Sequence, residues 1–192
     1  MPALRSPQDM LLTELKEIHS AERQLSRALP RLAKQVSSEQ LRDMLEQRRE
    51  QGTVLIERIE DALEDMQSPK ARQKNIAAEG LIEDMQQHLE EIEEDRLVDP
   101  LLLASIQKIE HYCIAAWGTA KAMGELLGEE KVVKTMEQVL EQGKQFDDQM
   151  TQLAQQEINP QMLDGEEAEG EEGEEEEERS SRGGRGSRRR SR

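Results

Sequence analysis

The sequence predicts an all-α protein: a four-helix bundle with a short crossover helix and a disordered C-terminal tail. Over four long segments, apolar residues recur at alternating spacings of three and four, which is the period of an amphipathic helix. The aromatic residues are only Tyr112, Trp117 and Phe146, so Leu, Ile, Val, Met and Ala must build the core. That composition suits helices packed on helices better than packed sheets.

The first two helices are expected to form an antiparallel hairpin. Ser6-Pro7 places an N-cap residue before a proline at the first helical position. The first helix is predicted over residues 7–36, with Pro30 kinking it or weakening its last turns. Residues 37–38 are a short link, so the second helix, predicted over residues 39–66, must fold back on the first.

The next segment is expected to carry the chain back across the bundle. Residues 67–75 form a basic loop. Residues 76–94 then show the apolar spacing of a shorter amphipathic helix, which we interpret as the crossover.

Two further long helices complete the predicted fold. Asp99-Pro100 repeats the cap-and-proline signal before a helix over residues 100–127, which is apolar around much of its circumference and is closed by Gly128. The fourth long helix is predicted over residues 129–157, and Asn159-Pro160, just beyond it, is expected to stop it. Two hairpins joined by a long connection are the plan of a ferritin-like four-helix bundle.

Charge and composition divide the chain into a predicted bundle, residues 1–163, and a predicted tail, residues 164–192. The tail holds 11 acidic and 7 basic residues; subtracting its −4 from the net charge of −16 leaves −12 on the bundle. An acidic body repels nucleic acid and anionic membranes. The tail has too little apolar surface to offset the entropy lost on ordering, so we expect it to be disordered.

The end of the tail has the composition of a nucleic-acid-binding segment. Residues 179–192 contain only Arg, Ser and Gly, which resembles the arginine-glycine segments that bind RNA or DNA backbones. The alternative is that this segment pairs with the acidic run that precedes it. The candidate phosphate contacts are Arg182, Arg185, Arg188, Arg189 and Arg190.

Cysteine usage and hydropathy indicate a cytoplasmic protein without membrane contact. Cys113 is the sole cysteine, so no disulfide can form within the chain. No apolar run approaches the length of a membrane span, and the N-terminus lacks a signal-peptide pattern. No phosphate loop, nucleophile elbow or HExxH-type motif points to an enzyme.

Charged residues interrupt the apolar faces of the long helices at one level. At about 100° per residue, Glu22, Glu110 and Asp147 fall on the inward faces of the first, third and fourth long helices. Arg48 falls on the inward face of the second. Folding each hairpin about its link brings these residues near mid-helix, so one polar layer should cross the core. Carboxylates that converge in this way form the di-iron and di-manganese sites of helical bundles.

Several runs resemble the YciE/YciF ferritin-like family of bacterial stress proteins. They are LKEIHSAERQL at residues 15–25, ALP at 28–30, AEGLI at 78–82 and QKIEHY at 107–112. The resemblance covers about residues 7–158. It implies a ferritin-like bundle, often a homodimer, with a carboxylate-rich di-metal centre to which Glu22 belongs.

Four ligand-type positions depart from the family pattern. The family's third-helix motif Glu-His-Tyr-Glu ends here in Cys113, so a thiol replaces a carboxylate. In the second helix Arg48 replaces a histidine, and Gln51 faces the core better than the neighbouring glutamate but is neutral. In the fourth helix Gly143 replaces the inward glutamate.

These departures favour a bundle without a working metal centre. Glu22, Glu110 and Asp147 remain, whereas a di-metal site takes about six protein ligands. We expect Arg48 to stand as the counter-ion in place of the metal, in a non-catalytic stress protein that needs no cofactor. The alternative is a ferroxidase-type protein that binds iron or manganese through the three acids and Glu50.

Overall fold

The computed structural model describes residues 4–69 and 74–163, so the predictions for the tail fall outside the described residues. The described residues form helices and no strand, which confirms the all-α prediction. A 3₁₀ turn precedes the fourth helix and a π-helical turn follows the fifth. The helices are α1 (Pro7–Leu32), α2 (Glu39–Asp65), α3 (Ile76–Glu90), α4 (Val98–Leu127), α5 (Glu130–Leu153) and α6 (Asn159–Gln161).

Two hairpins pack into one bundle. Helix α1 packs on α2, and α4 packs on α5; contacts of α1 with α4 and of α2 with α5 join the two pairs. Helix α3 contacts both α4 and α1, as a crossover helix must. The core is aliphatic, and Leu15, Leu45 and Met150 are each 0% exposed. Within the described part of the chain, every helix is too short or too polar to cross a lipid bilayer.

Helix α1 begins where the sequence predicts and ends earlier. The Ser6 hydroxyl accepts a hydrogen bond from a backbone amide of the first turn at 3.1 Å, which is an N-cap. The helix ends at Leu32 rather than near Val36. Pro30 lies in the last turn of α1 and has no N–H to donate to the preceding turn.

Asp99 has a different role from the predicted one. Helix α4 begins at Val98, so Asp99 lies within the helix and is not its N-cap. The Asp99 carboxylate accepts hydrogen bonds from the backbone amides of Ser37 at 2.9 Å and Ser38 at 2.8 Å. Because these amides precede α2 and have no helical partner, the buried carboxylate satisfies them and ties α4 to the turn of the first hairpin.

Of the two predicted helix stops, Gly128 ends a helix and Pro160 does not. Gly128 has φ 72° and closes α4, as the sequence predicts. Helix α5 ends at Leu153, and a π-helical turn, Ala154–Ile158, leads directly into α6. Pro160 does not stop the helical path, because it lies in the first turn of α6, where a missing N–H loses no hydrogen bond.

Asn75 fastens the crossover helix to the bundle. Its Oδ1 accepts from the Ala78 amide at 2.9 Å, which caps α3, and its Nδ2 donates to Tyr112 Oη at 2.7 Å and to the Glu17 carbonyl at 3.1 Å. Its backbone amide donates to Ser20 Oγ at 2.9 Å. One buried side chain therefore joins α1, α3 and α4.

We expect Asn75→Ala to destabilise the bundle by about 2 kcal/mol, since it removes an N-cap and leaves buried partners without hydrogen bonds. Urea unfolding followed by circular dichroism measures this loss. Asn159→Ala, at an exposed asparagine, is the matched control and should change stability by less than about 0.5 kcal/mol. Equal effects of the two substitutions would contradict the anchoring role.

Candidate functional site

Glu22, Arg48 and Glu110 meet in the core and form what is here named the ion triad. They project inward from α1, α2 and α4. Arg48 Nη1 donates to Glu22 Oε2 and Nη2 donates to Glu22 Oε1, both at 3.0 Å, while Nε donates to Glu110 Oε2 at 2.7 Å. The guanidinium thus makes a two-pronged pair with one carboxylate and a third hydrogen bond to the other.

Burial makes each member of the ion triad depend on the others. Glu22 is 0% exposed, Glu110 1% and Arg48 2%. A buried charge without a partner costs several kcal/mol, so the pairing is required by the location. Burial lowers the pKa of Arg48, but the charges of Glu22 and Glu110 raise it further, and the net effect is a pKa well above its usual range. Arg48 is therefore a permanent cation.

The Trp117 ring also contacts the Arg48 guanidinium. The Arg48 Cζ atom lies 5.4 Å from the centroid of the Trp117 ring, within the range of a cation–π contact. Trp117 is 2% exposed. The sequence analysis did not assign Trp117 to this site. The available signal was its position seven residues after Glu110, on the same helical face.

Two glycines leave space for the ion triad. A Cβ atom on Gly52 would lie 2.8 Å from Glu22 Oε2 and 3.1 Å from Arg48 Nη1. A Cβ atom on Gly143 would lie 2.5 Å from Trp117 Cζ3 and 2.8 Å from Glu110 Oε1. Both distances at Gly143 are shorter than any normal contact, so the Trp117 indole and the Glu110 carboxylate require hydrogen at this position.

Glu110 is the less satisfied carboxylate of the triad. Its Oε1 atom has no hydrogen-bond partner among the described residues. Burial raises the pKa of Glu110, and the neighbouring charges of Glu22 and Asp147 add to the rise, whereas Arg48 opposes it without cancelling it. Arg48 balances only one negative charge, so a neutral Glu110 leaves the buried centre without net charge.

Cys113 lies one turn after Glu110 and is also buried, at 2% exposure. Burial raises the pKa of its thiol well above the usual value, and the charges of Glu22 and Glu110 outweigh the opposing effect of Arg48. The thiol therefore stays protonated and weakly nucleophilic. This agrees with Cys113 as a small core residue.

Asp147 lies outside the ion triad. Its Oδ1 accepts a hydrogen bond from Gln107 Nε2 at 3.1 Å and lies 3.3 Å from His111 Nε2. Its side chain is 19% exposed, because α5 turns Phe146 and Met150 into the core instead. The prediction that Asp147 shares the layer around Arg48 is therefore corrected: its charge reaches Glu110, but its hydrogen bonds go to the side of α4.

The remaining predicted site residues lie further away. Glu50 is on the exposed side of α2. His19 was not predicted as a site residue; it is buried, lies with its Nε2 2.9 Å from Glu60 Oε1 and is not part of the ion triad. The arginines from Arg182 to Arg190 lie outside the described residues.

The residues around Arg48 do not fit a di-metal centre. Both Glu22 oxygens and one Glu110 oxygen already accept hydrogen bonds from the guanidinium, and a metal ion there would face a permanent positive charge. Among the described residues, no three His, Cys, Asp or Glu side chains are grouped so that they could hold a metal ion. The donor chemistry is that of an ion pair.

The fold and the triad define an all-α bundle with an arginine fixed at its centre. A family model described as a domain of unknown function (DUF892) matches residues 6–163. Protein YciF of Escherichia coli (strain K12) is 36% identical over 157 residues, which cover 81% of this chain and 95% of YciF. The chain therefore belongs to the DUF892 family and is a relative of YciF, which confirms the resemblance predicted from its motifs.

Solved structures share the fold. The crystal structure of the E. coli stress protein YciF matches with a TM-score of 0.76 at 36% identity, over 81% of this chain and 99% of that chain. YcfI from Rhodopseudomonas palustris, described as a candidate structural protein, matches with a TM-score of 0.74 at 27% identity, over 78% of this chain and 96% of that chain.

We expect Gly143→Ala to destabilise the protein by about 1–3 kcal/mol, because the new methyl group overlaps Trp117 and Glu110. Gly118→Ala is the matched control, since a Cβ atom there meets nothing within 4 Å and a helical alanine is favoured over glycine. Thermal unfolding should therefore move in opposite directions for the two variants. A neutral Gly143→Ala would show that the core around Arg48 is loosely packed.

The raised pKa of Glu110 predicts a pH-dependent contribution to stability. Because the folded-state pKa exceeds the ordinary value of 4.5, the contribution is fully present below pH 4.5 and is lost as pH rises through the folded pKa. Glu110→Gln keeps the shape and removes this titration. The difference in unfolding free energy between the wild-type chain and Glu110→Gln, measured across this pH range, should fall with rising pH.

Glu22→Gln is the contrasting control. It removes the carboxylate that accepts two hydrogen bonds from Arg48, so it should cost about 3 kcal/mol or more near neutral pH. Glu110→Gln should cost less, since Arg48 keeps its two-pronged partner. A larger loss for Glu110→Gln than for Glu22→Gln would reverse the assignment of the main counter-ion.

Proposed function

We propose that this chain is a non-catalytic structural member of the YciF family, a ferritin-like bundle in which the ion triad takes the place of a di-metal centre. The observation that carries this proposal is the buried position of Arg48 between Glu22 and Glu110, with three hydrogen bonds of 2.7–3.0 Å. A guanidinium cannot lose its proton at any working pH, cannot change its oxidation state and leaves no open coordination position.

The ion triad supports a structural role for three helices at once. It links α1 and α2, which are consecutive in the chain, to α4, whose Glu110 lies 62 residues after Arg48. A buried ion pair is rarely more stabilising than apolar packing, yet any slip of one helix leaves a charge unpaired. Its contribution is therefore to fix the relative positions of these helices.

The relatives support a place in stress physiology. YciF is described as a stress protein, and YcfI as a candidate structural protein. We accordingly propose a cytoplasmic stress-response role that depends on the assembled bundle, as a homodimer, rather than on turnover of a substrate. The alternative is a ferroxidase-type protein that binds iron or manganese with a reduced ligand set.

Metal loading separates these two functions. The purified chain, incubated with Fe(II) or Mn(II) and then desalted, should retain well below one metal ion per chain by elemental analysis, because Arg48 repels cations from the two glutamates. It should also fail to accelerate oxidation of Fe(II) by oxygen.

Glu22→Gln is the control for metal held elsewhere on this acidic protein. Metal that is retained equally by the wild-type chain and by Glu22→Gln lies outside the triad. Two metal ions per wild-type chain that are lost in Glu22→Gln would refute the proposal and support the ferroxidase-type alternative.

A further inference from the structure

A positively charged groove lies on this otherwise acidic bundle, between the end of α1 and the beginning of α2. Its volume is about 570 Å³. Three cationic side chains and one carboxylate line it, although the predicted bundle as a whole carries a net charge of −12. We call it the basic groove; it is lined by Leu29, Pro30, Ala33, Lys34, Arg42, Leu45, Glu46 and Arg49.

The end of α1 and the link that follows it form one wall of the basic groove and contain no acidic residue. Residues 23–38 contain Arg23, Arg27, Arg31 and Lys34 and neither Asp nor Glu. Cations near the end of a helix are stabilised by its dipole, which accounts for Arg31 and Lys34. Arg23 and Arg27 lie more than one turn from that end. The effect of the dipole is confined to the last turn, so it does not account for them.

The three cations that line the basic groove, one from the α1 side and two from α2, form no ion pair with a described residue. Arg42 is held in place, because its Nε donates to the Ala33 carbonyl at 3.1 Å and its Nη2 to the Val36 carbonyl at 2.7 Å. Lys34 and Arg49 are exposed and form no ion pair with a described residue. The basic groove therefore presents unneutralised positive charge to solvent.

The described chain ends close to this part of the bundle. The Met162 carbonyl accepts a hydrogen bond from Arg96, which lies just before α4. The start of α4 is in turn tied to the α1–α2 link by Asp99. The segment that follows Leu163 therefore leaves from the same end of the bundle as the basic groove.

The segment that leaves there has the complementary charge. Residues 164–178 hold 11 acidic residues and no basic one. Fully extended, these residues span about 50 Å, which is ample for reaching a groove at the same end of the bundle. The net charge of the bundle repels this segment from most other surfaces.

We propose that residues 164–178 dock in the basic groove of their own chain. Each exposed ion pair contributes little, but the attachment at Leu163 supplies a high effective concentration, so several weak pairs suffice. The docked acidic run is then withheld from the arginine-rich residues 179–192. Those residues stay available to an anionic polymer instead of being neutralised by their neighbours.

Carbodiimide coupling of the full chain tests the docking. The reagent joins a lysine amine to a carboxylate in direct contact, forming an amide with loss of water. At low salt, mass spectrometry should find Lys34 coupled to residues 164–178, at least fivefold more than Lys131 or Lys134. Those two lysines line a second groove with Arg58, between the far ends of α2 and α5, and serve as the internal control.

Two perturbations should weaken the coupling of Lys34. Salt at 0.5 M should abolish it, because the contacts are exposed and electrostatic. The double substitution Arg31→Gln and Arg49→Gln should lower it about fivefold while the thermal unfolding midpoint stays unchanged, since both side chains are exposed. Both losses are required by the proposal.

Three outcomes would overturn the proposal. The first is equal coupling of Lys34, Lys131 and Lys134, which would show non-specific contact of the tail. The second is the absence of any coupling to Lys34. The third is a Lys34 product with the mass of a covalent dimer, which would show that the basic groove takes the acidic segment of a second copy.

Discussion

The hydrogen bonds from Arg48 to Glu22 and Glu110 are the constraint on which the rest of the core depends. Three helices must hold their rotation and their height for all three bonds to form. Once one helix is placed, the rotation and height of the other two follow, because an unpaired charge in this core would cost several kcal/mol. The surrounding aliphatic packing is adaptable, whereas the ion triad tolerates one arrangement.

The unusual residues around the centre are consequences of that arrangement. Gly52 and Gly143 are small because the guanidinium, the carboxylates and the Trp117 ring fill the space where a methyl group would lie. Cys113 supplies a neutral side chain where another carboxylate would add unbalanced charge beside Glu110. In the function that we propose, the fixed charge of the ion triad takes the place of a metal centre, and Gly143 and Cys113 supply room and neutrality where ligands would otherwise stand.

Polar contacts outside the ion triad also fix helices relative to one another. Asp99 fixes α4 to the first hairpin, and Asn75 fixes the crossover helix to α1 and α4. The charge distribution follows this geometry. The end of the bundle that holds the α1–α2 link also carries the basic groove, whose Lys34 and Arg49 form no ion pair with a described residue, and Leu163, after which the acidic segment begins. Core and surface are thus organised by the same few inter-helix links.

Helical periodicity alone determined the helices, the two hairpins and the inward positions of Glu22, Arg48 and Glu110, because the spacing of apolar residues fixes which face of a helix is buried. It could not place Asp147, since a small rotation of α5 decides whether a residue at the edge of the apolar face points to the core or to Gln107. Asp99 was likewise predicted to cap its own helix. Its carboxylate instead accepts hydrogen bonds from backbone amides more than 60 residues earlier in the chain. The cation–π contact of Arg48 with Trp117 and the two-pronged pairing with Glu22 also depended on the tertiary structure, because they are set by distances between helices that no single helix encodes.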